Sequence, residues 1–150
     1  MSISPRKRFS VSLLSQGLDQ YSDTGLLDIR YFLAEILQCP VSEVFLDVFL
    51  TVDQHEVLEG MIGRRVSGEP VAYILGHCVF WGLFLKVNRF VLIPRSDTEC
   101  LVETVLKRHS NQSLKIFDMG TGSGAIALAL AHERSKWHVQ GMDISSQAIS

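Results

Sequence analysis

Residues 117–131 read FDMGTGSGAIALALA, with glycine at positions 120, 122 and 124. No other stretch limits so sharply what this chain can fold into. Glycine accepts left-handed backbone and lets a ligand come close where a Cβ would collide. Before the loop, residues 114–119 have the length and apolar content of a short buried strand; after it, residues 125–131 read as a helix. Strand, glycine turn and helix predict the opening of a Rossmann-like βαβ unit, in which the free N–H groups of the first helical turn face a ligand. The segment WHVQGMDIS (137–145) predicts a second strand ending at Asp143, with another helix expected to begin near Ser150.

Asp143 lies 23 residues beyond Gly120, close to the ~20 expected of the acid that grips a ribose diol. A carboxylate there can accept charge-assisted hydrogen bonds from both hydroxyls. Gly120-x-Gly122-x-x-Ala125 suits a nicotinamide dinucleotide and S-adenosylmethionine alike. Asp118 separates the two. It stands at the mouth of the loop, where it would repel a pyrophosphate and attract the sulfonium and ammonium of S-adenosylmethionine. The residues therefore favour S-adenosylmethionine, with plain capping of the loop as the competing account of Asp118.

The preceding chain reads as helical over residues 1–68. In LLDIRYFLAEIL (26–37) an apolar stripe is expected from Leu26, Ile29, Leu33, Ile36 and Leu37, with Pro40 ending the helix and Ser42 a candidate cap for the next. Thr51 and Gln54 have capping-box spacing at the head of TVDQHEVLEGMIGRRVSG (51–68). The stripe there is Leu58, Met61, Ile62 and Val66, and Gly68 can close it. Arg64 and Arg65 fall in the last turn, where cations suit the helix dipole. HCVFWGLFLKVN (77–88) predicts a β-hairpin about Trp81-Gly82 within a linker spanning 69–93. Pro94 then precedes a second capping-box pair, Ser96 and Glu99, and a helix with Leu101, Val102, Val105 and Leu106 inward. The polar residues 110–113 connect to the glycine-loop strand, and residues 94–150 make the start of the cofactor domain.

Composition narrows the function classes. A 47% hydrophobic, 20% charged chain can bury a core, and a net charge of −2 gives no support for a nucleic-acid surface. The apolar runs are too short to span a bilayer. Arg6, Lys7 and Arg8 are followed by no apolar segment of the signal-peptide kind, so a cytoplasmic protein is expected. Cys39, Cys78 and Cys100 are odd in number and widely spaced, which predicts buried free thiols. The five histidines lack ligand spacing, and no metal site is expected.

Four stretches, RRVSGEPVAYILG, FWGLFLKVNRFVLIPRSDTECLVE, the glycine loop and VQGMDIS, occur in an order that resembles the HemK/PrmC family, the protein-(glutamine-N5) methyltransferases of peptide chain release factors. LIPRSDTE, just ahead of the glycine loop, is its specific part. The resemblance implies an N-terminal helical bundle, a hairpin linker and a Rossmann-like methyltransferase domain. It implies S-adenosylmethionine as donor and the side-chain amide of the glutamine in a release factor's Gly-Gly-Gln loop as acceptor. A monomer is expected, with neither a nucleic acid nor a membrane as partner. Gly120, Thr121, Gly122, Ser123 and Gly124 match the family's cofactor loop, and Asp143 its ribose acid. Pro94, Arg95, Thr98 and Glu99 match the signature beside the active site, without individual roles. A proline turn and a capped helix explain those four equally well.

The family's Asn-Pro-Pro-Tyr motif, which holds the acceptor amide for attack, does not occur in this sequence. No catalytic residue is therefore expected among these 150, and the chain reads as the N-terminal part of such an enzyme, inactive alone. Two rival readings remain: part of an NAD(P)-dependent oxidoreductase, or a non-catalytic helical binding module with a vestigial half-Rossmann.

Overall fold

The computed structural model describes residues 6–109 and 113–149. Its contacts divide the chain into two compact units, Met1–Leu75 and Gly76–Ser150. The boundary falls beyond residue 68 because one more short helix packs into the first core.

The first unit is built from β1 (Lys7–Ser10), α1 (Val11–Gln16), α2 (Gly25–Leu37), β2 (Asp47–Leu50), α3 (Val52–Val66) and α4 (Val71–Leu75), with a 3₁₀ turn at Val41–Glu43. The helices converge on Leu18, Ile29, Phe32, Leu33, Leu50 and Leu58, all inaccessible or nearly so. Two features depart from a purely helical bundle. β1 and β2 pair antiparallel, Lys7 opposite Leu50 through Ser10 opposite Asp47. The alternation is visible in DVFL, whose Val48 and Leu50 point inward while Asp47 and Phe49 face solvent. On α2 the buried face runs through Gly25, Asp28, Ile29, Phe32 and Leu33, leaving Leu26 exposed. A carboxylate occupies the seam because Arg65 meets it there: Arg65 Nε donates to Asp28 at 2.8 Å, and Ser22 and Thr24 hydroxyls complete its shell.

The helix ends form by local chemistry. α2 ends at Leu37, three residues before Pro40, and the next residue, Gln38, turns left-handed at φ 53°. Ser42 lies inside the 3₁₀ turn and caps nothing. Thr51 and Gln54 exchange both capping-box hydrogen bonds at the start of α3. Past its other end Arg64 grips Glu69 through two nitrogens and donates to the carbonyls of Tyr73 and Ile74, closing α4. That pairing raises the Arg64 pKa above its ordinary value.

The second unit holds β3 (His77–Phe80), β4 (Leu83–Lys86), α5 (Glu99–Arg108), β5 (Lys115–Met119), α6 (Ala125–Glu133) and β6 (His138–Met142). β3 and β4 form the expected hairpin, with Trp81 and Gly82 left-handed at φ 51° and 72°, as a two-residue primed turn requires. The hairpin belongs to this unit's core: Phe80 and Leu85 pack with Val102, Leu106, Ala129, Leu130 and Trp137. Leu101, expected inward, is half exposed. The Ser96–Glu99 box does not form either. Ser96–Thr98 is a 3₁₀ turn, and Glu99 Oε1 instead accepts the Trp81 backbone N–H at 2.9 Å. Of the connector 110–113, residues 110–112 lie outside the described residues.

β5 and β6 run parallel and adjacent, joined through α6. All three cysteines are free, but none is fully buried: Cys39 and Cys78 are half-buried and Cys100 is exposed. Partial burial pushes the Cys78 thiol up from its ordinary pKa. Among the described residues no helix is long and apolar enough to cross a membrane, and no cluster of three metal-capable side chains comes together.

Candidate functional site

The βαβ unit brings two carboxylates to the carboxyl ends of adjacent strands, with a bare glycine loop between them. Asp118 is the penultimate residue of β5 and Asp143 follows β6 directly. Gly120, Gly122 and Gly124 all adopt left-handed backbone, at φ 76°, 55° and 77°. A Cβ added at Gly120 or Gly122 would meet nothing within 4 Å. The glycines are thus needed for the turn itself, and the surface they leave is open to a ligand.

Every candidate residue has a definite place. Gly120 N–H and Thr121 N–H both donate to the Met142 carbonyl, at 2.8 and 2.9 Å. The Thr121 hydroxyl donates to Asp118 Oδ2 at 2.8 Å. Gly122 N–H donates to Asp143 Oδ2 at 2.8 Å, and Ser145 N–H to Asp143 Oδ1 at 2.9 Å. These backbone donors, Ser145 foremost and then Gly122, hold the Asp143 carboxyl below its ordinary pKa. Gly124 caps α6, and Ser123 lines a cleft beside the loop with Thr121, Leu128, Val139 and Gly141. Neither aspartate lines that cleft, so it flanks the carboxylate pair rather than containing it.

The geometry can hold a hydroxylated, cationic small molecule. A carboxylate offers about four acceptor positions, and Asp143 is met by the backbone amides of Ser145, Gly122 and Ile144, which leaves it able to accept from a further hydroxyl. Asp118 adds a second anionic group at the loop mouth. Glu99, from the LIPRSDTE signature, serves the hairpin turn, and the indole N–H of Trp81 reaches Glu133 Oε1 at 2.8 Å. Gly141 escaped the sequence reading altogether. A Cβ on it would come within 2.7 Å of Thr121 Oγ1. Its one signal was a glycine inside a strand, which marks close approach of another segment.

A parallel strand–glycine loop–helix–strand unit with an acid at the end of each strand is the opening of a Rossmann-like α/β domain. Residues 96–150 match the Methyltransferase small domain family, and residues 12–76 match the PrmC N-terminal domain family. The chain belongs to the HemK/PrmC family. It is 43% identical over 139 residues to the release factor glutamine methyltransferase of Coxiella burnetii, covering 91% of this chain and 50% of the relative. The protein of the same name from Aliivibrio fischeri is 39% identical over 145 residues, 95% of this chain and 50% of the relative. The one from Escherichia coli is 48% identical over 101 residues, 67% of this chain and 36% of the relative. The chain spans about half the length, or less, of these relatives.

Proposed function

We propose that the protein is an S-adenosylmethionine-dependent methyltransferase acting on the glutamine side-chain amide of peptide chain release factors. The observation that carries this reading is the pair Asp118 and Asp143 flanking a loop in which Gly120 and Gly122 lie open, in a segment of the methyltransferase family. The name shared by its relatives supplies the acceptor. Bound there, S-adenosylmethionine would provide a methyl group activated by a sulfonium. This chain's residues would do the holding: Asp143 takes the ribose hydroxyls, Gly120 to Gly124 admit the ligand against the backbone, and Asp118 favours cationic groups over a phosphate. That preference counts against the nicotinamide reading. No residue of this chain is assigned to orienting the acceptor amide. On this reading the helical unit recognises the protein substrate, and the enzyme works in the cytoplasm.

Calorimetry on the intact protein tests the cofactor assignment. Asp143→Ala should weaken S-adenosylmethionine binding tenfold or more, roughly the scale of hydrogen bonds to a charged group. Unchanged affinity would sink the ribose assignment. Removing the first unit, residues 1–75, should impair transfer of labelled methyl to a release factor while cofactor binding persists; undiminished labelling would remove the recognition role.

A further inference from the structure

Asp143 meets the loop before it could meet any ligand. Its Oδ2 accepts Gly122 N–H at 2.8 Å, from the middle of the glycine run. One residue earlier, the Thr121 side chain lies over Gly141 so closely that a Cβ there would stand 2.7 Å from Thr121 Oγ1 and 3.0 Å from its Cβ and Cγ2. Because one of those atoms is attached directly to the backbone, a side-chain rotation alone could not relieve the contact. The Thr121 hydroxyl is meanwhile committed to Asp118, and the Gly120 and Thr121 amides to Met142. The loop is therefore fastened to the end of β6 at three successive residues, Gly120 and Thr121 through the Met142 carbonyl and Gly122 through Asp143, while Gly141 leaves the room that Thr121 needs to lie there.

We propose that Asp143 and Gly141 are positioning residues that latch the glycine loop onto β6 in the ligand-free protein, so that Asp143 acts on the loop as well as on the ligand. The role follows from order. Three left-handed glycines have more backbone freedom to lose than any other residues, and a loop that must be ordered at the moment of binding weakens the binding. Fastening it beforehand removes that cost. An alanine at 141 would fail sterically, by lifting Thr121. An alanine at 143 would fail electrostatically, by freeing the Gly122 amide.

The inference rests on the proposed cofactor reading only for its second readout. The first is amide hydrogen exchange in the intact, ligand-free protein. Asp143→Ala and Gly141→Ala should each speed exchange at Gly122 by about tenfold or more, while α6 amides such as Ala129 and Leu130 keep their protection and show the unit folded. Unchanged exchange at Gly122 in both variants overturns the latch, whatever the ligand. Asp143→Asn, which keeps one acceptor oxygen, should restore part of the protection. The second readout compares S-adenosylhomocysteine with its 2′,3′-dideoxy counterpart. Asp143→Ala should weaken both, because the dideoxy ligand still needs an ordered loop. A deficit confined to the hydroxylated ligand would reduce Asp143 to a ribose contact and overturn the proposal. Should neither compound bind wild type, the cofactor reading fails, and the exchange measurement still decides the latch.

Discussion

The two units solve the problem of burial differently. In the first, helices and a short β-ribbon enclose Phe32, Leu33 and Leu58, and the buried carboxylate of Asp28 is met by a guanidinium and two hydroxyls. In the second, α5, α6 and the hairpin contribute to a core on one side of the β5–β6 pair. The alternate residues of those strands, Phe117, Met119 and Met142, are exposed by 55%, 77% and 44%. Parallel sheets are ordinarily covered on both faces. The first unit places its core residues between its own helices and ribbon, whereas the second carries the glycine loop on a sheet packed on one face and bare on the other.

That contrast can be broken by mutation. Phe32→Ala in the first core should cost about 3–5 kcal/mol, the usual range for a fully buried phenylalanine, read from denaturant unfolding. Asp28→Ala should cost somewhat less, about 3 kcal/mol, because it strands a guanidinium that keeps some access to water. The equivalent apolar change on the open sheet face, Met119→Ser, should stay within about 0.5 kcal/mol. A loss comparable to Phe32→Ala would mean that the face is covered after all. Smallest in global stability is the response to acid. The Asp143 pKa lies below its ordinary value in the folded protein. Its hold on the loop is thus complete above the ordinary carboxylate range and is lost only as pH falls through the lowered value. Exchange at Gly122 should stay slow through mildly acid solution. Acceleration already at the pH where free aspartate titrates would show that the backbone bonds do not stabilise the carboxylate.

What was legible in the sequence was whatever its near neighbours decide. The Thr51–Gln54 box, the Trp81-Gly82 turn and the three glycines all depend on residues a few positions apart, and each takes the expected form. Partners distant in sequence decided the rest. Lys7 pairs with Leu50 across the first unit, and no local pattern announces that register. Leu26 yields its inward place to Asp28 because Arg65, on another helix, brings the countercharge. Ser96 and Glu99 have capping-box spacing, but the Glu99 carboxylate finds the Trp81 amide 18 residues upstream. At the site the candidate loop and both acids were legible from spacing. The dependence of that loop on Gly141 was not, since it needs β6 beside Thr121 in space.

The tryptophans and the tyrosines fall in different units. Both tryptophans, Trp81 at the hairpin turn and Trp137 in the second core, lie in the second unit, and all three tyrosines, Tyr21, Tyr31 and Tyr73, lie in the first. Light absorbed beyond the tyrosine band therefore excites the second unit alone. Its emission should follow the environment of Trp137 and the indole bond to Glu133 without contribution from the helical unit. Tyrosine signal and tryptophan signal thus form two separate intrinsic probes, and a single unlabelled sample can show which unit loses its structure first.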